Sequence, residues 1–223
     1  MQTWRLDDSA QTIVVAAINN NMAFVAYWGA VLPEHEDVNQ LVKAQVRDLT
    51  GGMIDQNAPV SLCPVEGNAF SGMPALIASD AMGTALMPRF TLQHACYNKQ
   101  ALELIYNDVD LGLTYKASIS LAIDGLWQLS SNLQSVDDIQ VHWLAAPVLP
   151  VADKTPRALE FGGRWCGEFR LTESSFGPSA LVRENRTGRS GHEHFPGLMT
   201  ASQGANYCQG DVYAWHYGWS GGH

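Results

Sequence analysis

A run of fifteen residues in which apolar and polar side chains alternate constrains the fold of this chain more than any other feature. From residue 109 to residue 123 every odd position is apolar, and the even positions are mostly polar, charged or glycine. A period of two indicates an extended strand with one buried and one solvated face, which antiparallel sheets allow. The run therefore predicts one long antiparallel strand. The side chains expected to point inward are Val109, Leu111, Leu113, Tyr115, Ile119 and Leu121.

Shorter runs of the same kind recur along the chain, separated by clusters of Gly, Pro, Asp and Asn. They read TIVVAA, MAFVAYWG, LELIYND, LWQLSSNLQ, IQVHWLAAPVL, RWCGEFRLT and DVYAWHYGWS. The triplet Asn19-Asn20-Asn21 between the first two predicts a hairpin turn. Residues 34–50 instead carry a helical stripe with acidic residues at its start and glycines at its end. The sequence therefore predicts an all-β fold, a large antiparallel β-sandwich with one short helix, as a single domain over residues 1–223.

Composition narrows the classes of function. Charged residues make up 16% of the 223 residues, against about a quarter in a typical domain, which favours a buried interface. The net charge of −9 argues against a nucleic-acid partner. No apolar run reaches the ~18 residues of a membrane span, and the N-terminus lacks the regions of a signal peptide. With four cysteines in no paired or metal-binding spacing, these features predict a cytoplasmic protein without a membrane partner.

The segment ENRTGRSGHEHFPGLM, residues 184–199, is a dense polar cluster. His192 and His194 would share a face if the segment were a strand, and Glu193 or His216 could add a third metal ligand. Glycines and a proline interrupt the segment, so a regular strand is not expected there. We therefore predict hydrogen-bonded histidines in an ordered loop, with no metal and no cofactor. A His-x-His metal site is the alternative.

Other catalytic chemistries find less support in the residues. A retaining glycosidase needs two carboxylates about 5–5.5 Å apart, a distance that sequence does not supply, and the acidic residues lie mostly at predicted turns. No G-x-S-x-G motif occurs, and Cys166 within RWCGEF is expected on a strand, in the core. Seven tryptophans could stack on sugar rings, but most lie in predicted strands, where filling the core is the simpler role. A free-standing carbohydrate-binding β-sandwich is thus an alternative function.

The order of several motifs along the chain resembles that of a known family. The motifs are YWGAVLP, LCPVEGNAFSGMPAL, FGGRWCGEFRL, RENRTGRSGHEHFPGLM and GDVYAWHYGWSGGH. In this order they are similar to the N-terminal domain of bacterial α-galactosidases of glycoside hydrolase family 36. The resemblance covers nearly the whole chain.

This resemblance implies a β-supersandwich of the galactose-mutarotase type that precedes a (β/α)₈ barrel. Residues 1–223 would be an N-terminal fragment of a longer enzyme, and the catalytic barrel would be missing. The full enzyme would remove terminal, non-reducing α-D-galactose with retention, using two aspartates on the barrel. This chain would carry no catalytic residue and would be inactive alone. Its expected partners are the barrel and, in the full enzyme, the α-galactoside substrate, with a homo-oligomer left open.

The resemblance also assigns candidate site residues. Arg186, Arg189, His192 and His194 are expected at the interface with the barrel or at the rim of the active site. Many tetrameric family members carry an Asp-Phe-Arg-Glu-Pro-like loop on this domain, which reaches into a neighbouring subunit's active site. The loop here has Phe70 and Ser71 but lacks the acidic and basic members, so these two are weaker candidates for sugar contact. A mutarotase-type enzyme, with a catalytic Glu and a histidine pair, is a further alternative.

Overall fold

The computed structural model describes residues 1–45, 60–122, 125–177, 180–186 and 193–218. The chain forms two compact units, Met1–Pro150 and Val151–His223. Every strand pair in the described residues is antiparallel. The predicted all-β antiparallel fold with one short helix is therefore confirmed. No described helix has the length and apolar character needed to cross a membrane.

In its described residues the first unit contains three sheets and one α-helix. Its described elements are β1 Gln2–Asp7, β2 Gln11–Ala17, β3 Phe24–Ala30, α1 Val38–Gln45, a 3₁₀ turn at Glu66–Asn68, β4 Leu76–Asp80, β5 Thr91–Asn98, β6 Ala101–Asp108, β7 Leu113–Leu121, β8 Trp127–Ser135 and β9 Ile139–Leu144. The sheets have the orders β1-β2-β3, β5-β6-β7-β8 and β4-β9.

The three-stranded and four-stranded sheets of this unit bury one common core. Leu6 and Val15 from the first sheet join Leu104 and Tyr115 from the second in a single apolar cluster. The ring of Phe90 lies 5.5 Å from that of Tyr115, between centroids. Inner faces that share one core in this way make a β-sandwich, as the sequence predicted.

A turn takes up the first four residues of the alternating run that predicted one long strand. β6 ends at Asp108, residues 109–112 form the turn, and the Asp108 carboxylate closes it by accepting the N–H of Leu111 at 3.0 Å. Val109 is therefore 83% exposed, and its predicted inward position was wrong. The other inward predictions are confirmed as buried for Leu113, Tyr115 and Ile119 and as partly buried against the core for Leu111 and Leu121.

The predicted hairpin turn is confirmed. Asn19 and Asn20 join β2 to β3 with φ angles of 54° and 57°. A type I′ hairpin turn needs positive φ at both central residues, and asparagine tolerates it. The N–H of Asn21 donates to the carbonyl of Ile18 at 3.0 Å, which closes this turn.

The predicted helix is confirmed as α1, which covers the second face of β2. Asp37 caps its first turn, because its carboxylate accepts the N–H groups of Asn39 at 3.0 Å and Gln40 at 3.2 Å. Val42 is fully buried in a small cluster with Val14 and other residues of β2 and β3. The β2 sequence is apolar on both faces because one face meets the sandwich core and the other meets this helix.

The described part of the second unit forms one four-stranded sheet in the order β11-β10-β12-β13. Its strands are β10 Arg157–Gly162, β11 Arg170–Ser175, β12 Gly197–Ala201 and β13 Val212–His216. Because side chains alternate along a strand, Ala158, Glu160 and Thr200 share one face, and all three are buried. We call this the covered face and the opposite face, which carries Leu159 and Phe161, the open face.

Candidate functional site

The segment that carries the arginines and histidines is attached to β10 at its beginning. Arg183 donates from Nη2 to Oε2 of Glu160 at 2.8 Å. The Glu160 side chain is only 10% exposed, whereas that of Arg183 is 48% exposed. A carboxylate that has lost water is costly unless it is paired, so Arg183 offsets the burial of Glu160 and holds the segment against the covered face.

The same segment is attached to β10 again where it returns. The N–H of Phe195 donates to the carbonyl of Phe161 at 2.7 Å. His194 forms a β-bridge with Gly162, immediately beside that hydrogen bond. Because both attachments lie on one strand, β10 determines where the segment departs and where it re-enters the sheet. Residues 187–192 lie between the two attachments and outside the described residues.

A concavity of about 410 Å³ lies in the second unit beside these attachments. Its lining includes the side chains of Glu160, Arg170, Thr172, Arg183 and His194. These side chains present hydrogen-bond donors and acceptors in one place, with the Glu160 carboxylate already held by Arg183.

The structure brings only part of the predicted set of site residues to this place. Arg186 is 83% exposed and donates from Nε to Oε1 of Glu184 at 2.6 Å, which raises the pKa of Arg186. His194 is half-buried and lines the concavity. Arg189 and His192 lie outside the described residues. Exposed pairs such as that of Arg186 contribute little to stability.

The metal-site alternative depends on the same segment. No group of three or more His, Cys, Asp and Glu side chains is placed to hold a metal ion among the residues that the structure describes. His216, a possible third ligand by sequence, packs its ring 5.4 Å from that of Phe195, between centroids. His192 is not among the described residues, so the pairing of His192 with His194 stays a prediction.

Phe70 and Ser71 lie on a loop of the first unit, whereas the concavity belongs to the second unit. The Phe70 ring covers Gly72 so closely that a Cβ there would lie 2.7 Å from it. Ser71 is exposed and Phe70 is half-buried. Their predicted contact with sugar stays a prediction.

Cys166 lies in a tight loop, and its predicted place on a strand in the core was wrong. It is exposed, with a φ angle of 63°, and β11 begins only at Arg170. Gly163 has a φ angle of 134°, and a Cβ at this position would overlap the carbonyl of Gly167. The absence of a side chain at Gly163 thus lets the chain turn back where the apolar pattern suggested a continuous strand.

The tryptophans divide between core and surface. Trp4 and Trp127 are buried in the first unit, as predicted for strand residues. Trp143 is 43% exposed although it lies on β9, and Trp165 is 80% exposed in the loop before β11. The prediction that tryptophans fill the core therefore holds for Trp4 and Trp127 but not for Trp143 and Trp165.

Sequence reasoning missed a row of four rings in the second unit. Phe161, Phe169, Phe195 and His216 follow one another at centroid distances of 6.1, 5.8 and 5.4 Å. It also missed the pairing of Glu160 with Arg183. No local pattern marks either feature, because their members are brought together only by strand pairing and by the loop before β11.

Comparison with known proteins agrees with the family that the order of the motifs predicted. The sequence model of the glycosyl hydrolase family 36 N-terminal domain matches residues 21–223. An alpha-galactosidase of Escherichia coli is 29% identical over 203 residues, which are 90% of this chain and 28% of that protein.

Solved structures agree in fold. The GH36 alpha-galactosidase AgaA from Geobacillus stearothermophilus matches with a TM-score of 0.82 at 15% identity, over 99% of this chain and 34% of that chain. The alpha-galactosidase from Lactobacillus brevis matches with a TM-score of 0.80 at 18% identity, over 99% of this chain and 33% of that chain. A variant of AgaA is in complex with raffinose. The chain thus spans about a third of the length of these relatives.

Proposed function

This chain belongs to the glycosyl hydrolase family 36 N-terminal domain family, and on that basis we propose that it is the non-catalytic N-terminal domain of an alpha-galactosidase. The full enzyme would hydrolyse terminal α-D-galactose from galactosides with retention, by a nucleophile and an acid/base carboxylate. Both carboxylates would lie on a (β/α)₈ barrel that follows this domain. The match over residues 21–223, at about a third of the length of the relatives, carries this proposal.

The chemistry of the concavity agrees with a supporting role. Glu160, its buried carboxylate, is already paired with Arg183, whereas a catalytic acid must be available to donate a proton to the leaving group. The domain would support the barrel and border the entrance to its active site. We further propose that it acts in the cytoplasm, as the unpaired cysteines suggest.

The test compares two proteins, the product of the natural reading frame and residues 1–223. Each is assayed with an aryl α-galactoside and with raffinose, the sugar bound to the AgaA variant. We expect turnover by the longer protein and none by residues 1–223. Turnover by the purified 223-residue chain above that of a mock preparation would contradict the proposal.

A free-standing carbohydrate-binding sandwich is the second candidate, and the exposed Trp165 favours it. It would be supported by a stop codon directly after His223 together with saturable galactoside binding by the 223-residue chain. Absence of binding in isothermal titration would exclude it.

Arg186, Arg189, His192 and His194 are proposed to contact the barrel. Replacing Arg189 by Ala in the longer protein should lower its stability or activity by up to about 3–5 kcal/mol, the effect of breaking a buried pair. The same change in residues 1–223 should have little effect, because water solvates the guanidinium there. Arg164→Ala is the control, since Arg164 is an arginine of the second unit that is exposed in the structure. An equal effect of both substitutions on the melting temperature of the longer protein would contradict this role.

The alternative of a metal site at His192 and His194 is tested by measuring bound metal. Elemental analysis of the purified 223-residue chain should find no stoichiometric zinc, nickel or manganese. Metal that is present and is lost on His192→Ala would show that the loop is a metal site. Phe70 and Ser71 are tested in the longer protein, where sugar contact predicts a raised KM for Phe70→Ala.

A further inference from the structure

The open face of the second unit carries apolar side chains that are exposed to solvent. Register pairs point to the same side of a sheet, so Phe161 of β10 and Leu171 of β11 share this face. The same rule places Met199 of β12 and Val212 of β13 on it. Leu171 and Val212, on the two edge strands, are 56% and 53% exposed, whereas Phe161 and Met199 on the central strands are half-buried. The apolar side chains on this face therefore come from all four strands.

The row of rings extends this apolar surface past the end of the sheet. Phe169 lies in the loop before β11 and is 69% exposed, and Phe195 lies just before β12 and is 39% exposed. Their rings contact each other at a centroid distance of 5.8 Å, and each continues to a neighbour on a strand. Aromatic rings bury much apolar area, so exposing several of them in one place is unfavourable in a free surface.

The two faces of the sheet differ in how well they are covered. On the covered face Ala158 and Thr200 are almost inaccessible to water, and Glu160 is paired with Arg183. Among the described residues of the second unit, the buried apolar side chains are only those of Ala158, on the covered face, and Ala201, which pairs with Val212 on the open face. Two alanines supply very little apolar burial, so this sheet would gain stability from further apolar cover.

The charged groups on the open face are already neutralised. Arg157 donates to both carboxylate oxygens of Glu173, from Nε at 2.6 Å and from Nη2 at 2.9 Å. The same guanidinium donates to the carbonyl of Ala205 at 3.2 Å. A charge pair that is bonded in this way can be covered by another surface at lower cost than a lone charge.

We propose that the open face, formed by Phe161, Phe169, Leu171, Phe195, Met199 and Val212, is the docking surface for the folded domain that follows this one in the longer protein. This inference rests on the proposed function, because it requires that the chain continue as its relatives do. About two thirds of each matched relative lies outside the segment that aligns with this chain. A domain linked in cis is present at high effective concentration, which favours it over a second copy of the chain as the occupant.

The test is hydroxyl-radical footprinting read by mass spectrometry on two samples, residues 1–223 and the product of the natural reading frame. We expect Phe169, Leu171 and Phe195 to be oxidised readily in the 223-residue chain and several-fold less in the natural product. Val109, which is 83% exposed in the first unit, should be labelled alike in both and serves as the control. Equal labelling of the three residues in both samples overturns the inference, and so does protection that is already complete in the 223-residue chain.

A substitution gives a second measurement. Leu171→Asp should leave the melting temperature of residues 1–223 unchanged and should lower that of the natural product, whereas Val109→Asp should leave both unchanged. Protection that depends on protein concentration, with a dimer in sedimentation velocity, would identify a second copy as the occupant and overturn the inference.

These results separate the docking surface from the proposed function. An active alpha-galactosidase with an unprotected open face would contradict only the docking surface. A protected open face in a protein without activity would contradict only the proposed function.

Discussion

Two polar side chains in the first unit act as hydrogen-bonding partners for backbone groups. Asp108 is buried, and its carboxylate accepts the N–H groups of Arg89 at 2.6 Å and Leu111 at 3.0 Å. The side-chain amide of Asn68 exchanges two hydrogen bonds with the backbone of Phe90, at 2.9 and 3.1 Å. A buried N–H without a partner is unfavourable, so these side chains allow the chain to turn inside the fold.

At this scale we predict that Asp108→Ala destabilises the chain. It leaves two backbone donors without their acceptor, and the free energy of unfolding should fall by about 1–3 kcal/mol. Urea denaturation followed by circular dichroism measures the change. Asp110→Ala is the control, because Asp110 is exposed in the same turn. Equal destabilisation by the two substitutions would argue against the role of the Asp108 carboxylate.

The buried acidic groups of the core predict a dependence of stability on alkaline pH. Burial raises the pKa of the Cys63 thiol from 9.0 to about 12, with Tyr115 hydrogen-bonded to it. Burial also raises the pKa values of Tyr106 and Tyr115. The unfolded chain therefore releases these protons at lower pH than the folded chain does. Their contribution to stability is complete below the unfolded pKa values and is lost as the pH rises toward the folded ones.

The urea midpoint should therefore fall between about pH 8 and about pH 10.5, the range in which unfolded cysteine and tyrosine lose their protons. A midpoint that stays constant over this range would contradict the assignment. Ellman's reagent provides an independent check at about pH 8. It should modify the exposed Cys96, Cys166 and Cys208 in the native chain and reach Cys63 only in denaturant.

Among the elements, β10 positions the candidate site. It pairs with β11 and β12 on its two sides, supplies Glu160 to Arg183, and accepts the returning segment at Phe161 and Gly162. A strand held on both edges is rigid, so the loop attached to it is held at both of its ends. β10 thus holds the described residues on both sides of residues 187–192.

We predict that Glu160→Gln loosens this attachment. The substitution keeps the shape of the side chain but removes the charge that holds Arg183, so trypsin should cleave after Arg186 faster than in the unsubstituted chain. Cleavage is followed by mass spectrometry at a temperature where circular dichroism shows the variant to be folded. Glu173→Gln is the control, since it breaks an ion pair on the open face. The role of Glu160 would be refuted by unchanged cleavage, or by equal acceleration in the control.

At the scale of the whole molecule, the two compact units differ in their apolar burial. The first unit has an extended core shared by its sheets, whereas the described part of the second buries only two alanines. A segment with so little buried apolar surface does not reach independent stability. One family model spans residues 21–223 and thus both units, which supports our proposal of a single domain.

We therefore expect residues 1–223 to unfold in a single calorimetric transition, with equal calorimetric and van't Hoff enthalpies. The second unit should lose its structure together with the first, because it lacks a core with which to persist alone. Differential scanning calorimetry with circular dichroism at two wavelengths measures this. Two resolved transitions would contradict the single domain.

The sequence alone determined the features that depend on neighbouring residues. Alternation predicted the antiparallel strands, the Asn19–Asn20 pair predicted the hairpin, and the helical stripe predicted α1, because each of these patterns is local. The order of the motifs predicted the family for a related reason, since it is read along the chain without any tertiary contact.

Only the tertiary structure decided where the long alternating run breaks and which distant residues meet. The turn that begins at Val109 depends on the Asp108 carboxylate. Alternation of apolar and polar residues does not show whether those residues lie in a strand or in a turn. Glu160 and Arg183 are 23 positions apart, and they meet because the covered face leaves Glu160 little water and makes a cation its most favourable partner. Exposure of the open face was likewise decided by packing, because a strand sequence states which side chains share a face but not what covers them.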